Sequence, residues 1–263
     1  MSLLSYISLP MVLSGFIVGS IVGMTGVGGG SLMTPILILL FGISPEKAVA
    51  TDLIYASITK SGGTLVHNLH KTIDWSIVGR LAVGSMPASM LALVLLQKAG
   101  AESAAINALI TQVLGYALVL TALAIIFRPW LLTVYRRRVG HLSPQLTGRL
   151  TILTGVMLGF FVTISSVGAG ALGVTALIIL YPELPVARIA GSDIAHAVPL
   201  TLVAGIGHLI GAPLNVHLLV SLLLGSLPGI MLTSYFAPRL PDAFLRYALA
   251  GVLVAVAARL LFI

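Results

Sequence analysis

Long apolar runs recur along the chain with short polar interruptions, at about residues 10–42, 49–66, 77–96, 104–127, 150–181, 189–211, 217–237 and 243–262. A helix needs roughly 17–25 apolar residues to cross ~30 Å of hydrocarbon, and every run reaches that length. The pattern predicts an all-α polytopic integral membrane protein of about eight hydrophobic segments. The first and fifth runs are longer than one crossing requires, and each is interrupted by glycine. "GMTGVGGGSLMTP" (23–35) breaks the first and "SSVGAGALG" (165–173) the fifth.

The two interrupted runs belong to a longer correspondence. "GFIVGSIVGMTGVGGGSL" (15–32) matches "GVMLGFFVTISSVGAGAL" (155–172), pairing Gly15 with Gly155, Gly19 with Gly159, Gly28 with Gly168 and Gly30 with Gly170. Further on, "ATDLIYASITKSGGTLVH" (50–67) matches "GSDIAHAVPLTLVAGIGH" (191–208), pairing Asp52 with Asp193 and His67 with His208, and "GSMP" (84–87) falls on "GSLP" (225–228). A series of matches that keeps its order and offset reads as tandem duplication. The halves are 1–128 and 149–263, each a four-segment repeat, with the polar stretch 129–148 as a cytoplasmic linker. Secondary transporters commonly carry such repeats and bind substrate between them.

Whether the repeats are parallel or inverted depends on the glycine segments. If each crosses once, one side of the membrane holds Lys71, Arg80, Arg128, Arg136, Arg137, Arg138 and Arg149, and the other holds Lys47, Lys98, Arg188, Arg239 and Arg246. If each dips in and returns as two half-helices, Arg188, Arg239 and Arg246 join the first side and leave only Lys47 and Lys98 on the other. (Arg259 lies inside in the first arrangement and outside in the second.) Basic residues concentrate on the cytoplasmic side, so the stronger asymmetry favours inverted, re-entrant repeats.

A helix break at membrane depth leaves backbone groups unpaired at a cost of several kcal/mol each unless protein or water satisfies them. Gly28, Gly29 and Gly30 remove every Cβ from one turn, and Pro35 disfavours helical geometry at Thr34. The expected product is a half-helix starting near Ser31, whose free N–H groups and dipole suit an anion. The second copy offers the same backbone around Gly168 and Gly170, with the hydroxyls of Ser165 and Ser166 beside it. Gly15, Gly19 and Gly23 are spaced four apart, and that spacing fits close helix packing instead.

Composition narrows the function. Of 263 residues 58% are hydrophobic and 8% charged, far below the quarter charged in soluble domains. The formal charge of +7 gathers in "YRRRVGHLSPQLTGR" (135–149), between apolar segments, which marks a cytoplasmic anchor rather than a nucleic-acid surface. The N-terminus lacks the basic region of a signal peptide. With no cysteine in the chain, disulfides, thiolate catalysis and cysteine-bound metals are excluded.

Asp52, Lys60, Asp193, His196 and His208 fall inside apolar segments. Charges there are expensive and mark pathways or pair with one another. Asp52 and Lys60 share a broad helical face without touching, while Asp193 and His196 are three apart and can meet. Thr51 and Ser192 precede the two aspartates, so helix capping is an alternative role for Asp52 and Asp193. His67 reads as interfacial, and His196 and His208 have a structural alternative. Lys60 needs an anionic partner, either a substrate or Asp52 across a bend. Its counterpart in the second half is Thr201. No zinc spacing, nucleophile elbow, phosphate loop or dinucleotide fingerprint is present, so the sequence points away from an enzyme and calls for no cofactor and no metal.

The duplicated glycine motif, "AVATDL", the "DW" at 74–75 and the period of about 140 residues together resemble the sulfite exporter TauE/SafE family over nearly the whole chain. Gly19, Gly26, Gly28, Gly29, Gly30, Pro35 and Thr51 fit its first-half pattern, and Gly23 falls one residue late. Asp52 stands where the family commonly has serine. In the second half the triple glycine is reduced to "GAG" and the proline is missing at Thr175. The resemblance implies a permease for sulfite, organosulfonates or related sulfur anions.

The expected function is therefore ion-coupled secondary transport of a small anion across the cytoplasmic membrane. Gly28, Gly29, Gly30, Ser31, Thr51, Asp52, Lys60, Ser166, Gly168, Gly170 and Ser192 would form the substrate site. Asp52, Asp193, His196 and His208 would carry protons, since histidine titrates near neutrality. A passive anion channel and a membrane subunit of a larger complex are the alternatives. The expected partners are the anion and the bilayer, with no nucleic acid; homo-oligomerisation is left open.

Overall fold

The computed structural model describes residues 8–25, 30–100, 103–138, 143–211, 213–236 and 242–262. These residues form ten α-helices: α1 (Leu9–Thr25), α2 (Gly30–Leu39), α3 (Pro45–Leu69), α4 (Trp75–Lys98), α5 (Ala104–Arg138), α6 (Pro144–Ser165), α7 (Ala171–Leu180), α8 (Val186–His208), α9 (Val216–Phe236) and α10 (Asp242–Leu261). Among the described residues, α4, α6, α8, residues 104–130 of α5 and residues 216–233 of α9 are long and apolar enough to span a bilayer. At 25 residues α3 also has the length, at ~1.5 Å per residue, but it carries Glu46, Lys47, Asp52 and Lys60. The interrupted first and fifth runs each appear as two helices, α1 with α2 and α6 with α7. The polar stretch 129–148 holds the end of α5 and the start of α6.

Local chemistry sets several helix ends. Pro45 and Pro144 occupy first-turn positions, where a missing N–H costs nothing. Asp74 caps α4 by accepting from the amides of Ser76 and Ile77, and its carboxylate lies 3.5 Å from the Arg188 guanidinium at the start of α8. The Asp74 amide donates to Ser192 Oγ at 2.8 Å, so the α3–α4 turn and α8 are joined twice.

Pairwise contacts fix the helix directions. α1 runs with α9: Gly15 lies on the Leu222 backbone and Gly19 on that of Ser226. α6 runs with α4 in the same way, Gly155 lying on Leu81 and Gly159 on Ser85. A Cβ on Gly155 would stand 2.2 Å from the Leu81 carbonyl oxygen, so these pairs approach as only small residues permit. In lipid, where no hydrophobic force joins helices, such close packing supplies much of the attraction. The expected packing role of Gly15 and Gly19 holds, while the side of Gly23 lies outside the described residues.

α8 also runs with α4, since His196 meets Ser85 and Gly207 meets Leu93. It runs against α3, where Ile54 faces Gly205, Ser57 faces Val198 and Ile194 faces Gly63. Because α6 and α8 both follow α4, the helix between them has to come back. α7 does so: Tyr181 at its C-cap lies 2.8 Å from Thr151 Oγ1, near the start of α6, and accepts from Arg80. The α6–α7 pair is a hairpin.

Two apolar clusters hold these pieces. Val18 of α1 and Met33 and Leu37 of α2 pack with Tyr55, Leu118, Leu222 and Leu253. Ile77, Leu81 and Leu158 pack around Leu177 of α7 and Ile189 of α8. Large apolar side chains such as Leu91, Leu95, Leu224 and Met231 point outward, which suits a hydrocarbon surrounding.

Candidate functional site

The turn between α6 and α7 is described in full. Ser166 closes α6 with a left-handed backbone (φ 59°), and Gly168 and Gly170 follow at φ 121° and 128°. Such angles strain any residue with a Cβ, so the glycines are what let the chain reverse inside six residues. Behind the reversal, the Gly173 and Val174 amides donate to the carbonyls of Gly168 and Gly170. The amides of Gly168, Ala169, Gly170, Ala171 and Leu172 have no acceptor among the described residues, although residues 166–171 are all buried. Buried amides are rarely left so. Five together at a helix N-terminus form a place for a negative group.

Charged side chains converge on this turn from α3 and α8. Lys60 Nζ donates to the Ala169 carbonyl at 3.0 Å and lies within electrostatic reach of Asp193, Asp52 and His196. No carboxylate approaches it within ion-pair distance among the described residues. Asp52 and Asp193 are each the eighth residue of their helix and fully buried, so neither is a helix cap. Asp52 Oδ2 accepts a short hydrogen bond from Thr34 of α2. Ser166 stands beside the same carboxyl group, its hydroxyl without a hydrogen bond. Neither oxygen of Asp193 has a partner among the described residues. Its Oδ1 instead lies against Gly173, 2.0 Å from where a Cβ would stand.

The remaining expected residues divide. His196 is buried, with Nε2 2.8 Å from Ser85 Oγ and Nδ1 unpartnered among the described residues. It makes no hydrogen bond with Asp193. His208 lies fifteen residues, or ~22 Å, further along α8 and donates from Nε2 to the Thr163 carbonyl at 2.8 Å. Thr51 donates back to the Lys47 carbonyl, and Ser192 donates to the Arg188 carbonyl while accepting from Asp74. Both hydroxyls are spent within or beside their own helices. Ser31 is buried in the first turn of α2, which Gly30 opens. Gly28 and Gly29 lie outside the described residues. The structure thus brings together Asp52, Lys60, Ser166, Gly168, Gly170, Asp193 and His196, and leaves Thr51, Ser192 and His208 apart.

Four contributors escape a search for ionisable groups and broken helices. Thr34 supplies the Asp52 donor, Ala169 supplies a carbonyl, Gly173 supplies space for Asp193, and Ser85 partners His196. The signal for Ser85 is present in the matched "GSMP" and "GSLP" segments, where Ser226 is its counterpart. Ser226 stands beside Tyr55, which in turn aligns with His196.

Comparison with known proteins places this arrangement. Residues 11–260 match the sulfite exporter TauE/SafE family. The chain belongs to that family. It is 41% identical over 248 residues to the probable membrane transporter protein YjnA of Bacillus subtilis (strain 168), covering 94% of this chain and 97% of the relative. The probable membrane transporter protein YdhB of the same organism is 25% identical over 249 residues, or 91% of this chain and 96% of the relative. No solved structure matches the chain. The TauE/SafE protein is accordingly a multi-pass membrane transporter and not an enzyme.

Proposed function

We propose that the chain is a secondary transporter of small anions, sulfur oxyanions or organosulfonates, in the cytoplasmic membrane, with its binding site at the α6–α7 turn. The observation that carries this reading is the run of acceptorless amides from Gly168 to Leu172, buried as far as Ala171, beside the Lys60 ammonium. An anion entering there would satisfy the amides, gain the field of the α7 N-terminus and neutralise the lysine. The hydroxyl of Ser166 is available to donate as well. A sulfonate or sulfite presents several acceptor oxygens on one small head, which suits several amides that point from one turn. Sulfur-anion transport by the family supports the same substrate class.

The chain reads as two inverted repeats around this site. α3 and α8 are antiparallel, and α1 lies on α9 as α6 lies on α4, through matched glycines at 15, 19, 155 and 159. These relations support an exchange in which the first segment of each half packs on the second long helix of the other half. The first and second halves would then contribute opposite half-helix ends to one midplane site, with residues 129–148 as the cytoplasmic linker. Such an arrangement suits alternating access. Buried carboxyl groups at Asp52 and Asp193 favour coupling to protons over passive flow.

Flux into proteoliposomes of purified protein is the test. Sulfite or a simple sulfonate should move with the wild type, and Lys60→Met should remove transport while expression and thermal unfolding stay near wild type. Wild-type flux through Lys60→Met overturns the assignment of the lysine. Flux that ignores an imposed pH gradient favours a passive channel.

A further inference from the structure

Asp193 is placed oddly for a group that merely awaits a proton. Its carboxylate presses on the first turn of α7, at the position a Gly173 side chain would fill. Neither oxygen is hydrogen-bonded among the described residues. The turn it touches opens with the five acceptorless amides, and Lys60, which holds the Ala169 carbonyl of that turn, lies within its electrostatic reach. Every attraction offered to a bound anion is therefore offered first to the ionised Asp193.

We infer that the Asp193 carboxylate is an internal substitute for the substrate: ionised, it holds the α7 N-terminus against external anions, and it must take up a proton before an anion can bind. This rests on the anion site proposed above and adds to it the rule of exchange. One proton from solvent forms an O–H bond on an Asp193 oxygen as one anion enters, so the net charge of the pocket is the same before and after. Substrate and proton then travel together.

Asp52 is not equivalent. Its carboxyl already has the Thr34 hydroxyl, and Ser166 stands beside it. The charged and titratable groups around Asp193 are Lys60 on α3, with Asp52 beyond it, and His196 on its own helix. α4 presents Ser85 at that level, while the α6 residue beside Gly173 is Leu158. Lys60 is committed to the Ala169 carbonyl and His196 lies against Ser85 of α4, so Asp193 is the one of these groups that rests on the first turn of α7.

The test measures binding of ethanesulfonate, whose charge is constant between mildly acid and mildly alkaline pH, to the purified full-length protein by calorimetry. Proton uptake is followed in weak buffer with an indicator dye. In the wild type, affinity should fall by up to about tenfold per pH unit on the alkaline side, the slope of one linked proton, and one proton should be absorbed per anion bound. Asp193→Asn should bind at alkaline pH as the wild type binds at acid pH, without proton uptake. Gly173→Ala, which pushes the carboxylate off the turn, should flatten the pH dependence in the same direction. Binding by the wild type without proton uptake overturns the inference even if neither variant folds, and so does an unchanged slope in Asp193→Asn. Absence of binding at every pH, for sulfite as well as ethanesulfonate, removes the anion site itself and this rule with it.

Discussion

Asp52 and Asp193 sit at the same depth of matched helices, yet one is held and the other is not. Thr34 reaches Asp52 from α2. The corresponding residue on α7 is Val174, which has no hydroxyl to offer, and the oxygens of Asp193 remain unpaired among the described residues. In the first turn, Gly173 on α7 stands where α2 has Met33 under the alignment of the two glycine segments. Without a Cβ at 173, Asp193 moves onto the turn itself. The comparison teaches that two carboxyl groups at equivalent positions of their helices can be given different work by one hydroxyl contact and one side-chain volume.

The largest effect should come from filling that volume. Gly173→Val places branched carbons where Asp193 Oδ1 now lies, and transport into proteoliposomes should drop more than about tenfold at equal protein level, as misplaced groups in tightly packed sites generally show. Residual flux near wild type would mean that Asp193 has room elsewhere.

Replacing the carboxyl groups separates them next. Asp193→Asn removes a buried carboxyl group that has no hydrogen bond among the described residues and should raise thermal stability in detergent by ~1–3 kcal/mol. Asp52→Asn keeps an acceptor for Thr34 and should leave stability within ~1 kcal/mol of wild type. Equal shifts in both variants would erase the distinction drawn here.

Thr34→Val takes a short hydroxyl donor from Asp52 and should cost ~1–3 kcal/mol, the penalty for weakening the satisfaction of a buried acceptor. Thr175→Val should cost less than ~0.5 kcal/mol, because no hydrogen bond of its hydroxyl is broken. The smallest change is Ser85→Ala, which removes one partner of His196 Nε2 and should lower stability by ~1 kcal/mol with transport retained. Both series are read from thermal unfolding with parallel flux.

Much of this was legible in the residue order. Apolar length marked the runs at 77–96, 104–127, 189–211 and 217–237 to within a few residues of helices long and apolar enough to span, because a helix that meets lipid must hide its backbone for its whole span. Asp52, Lys60, Asp193 and His196 stood out as ionisable groups in such segments, and all four lie in one cluster. Thr51, Ser192 and His208 were chosen by the same logic and lie elsewhere. A hydroxyl on a helix can satisfy itself on the preceding turn, as Thr51 and Ser192 do, and neighbouring in sequence does not set which way a side chain faces. Asp193 and His196, three apart on one helix, make no hydrogen bond with each other, since His196 is drawn to Ser85 on α4 and Asp193 lies on Gly173 of α7.

Sequence alone determined the membrane character, the glycine interruptions and the kinship to a family of sulfur-anion transporters, since each is carried by residue type and local spacing. Only the tertiary structure decided that α7 turns back along α6, that its amides are left without acceptors, and that Asp193 rather than Asp52 rests on its first turn. Those outcomes depend on which distant helix supplies the neighbouring atom, and in a chain whose segments are nearly all apolar, hydrophobicity has little power to choose among partners. Close backbone contact at glycines and a few buried polar atoms make that choice instead.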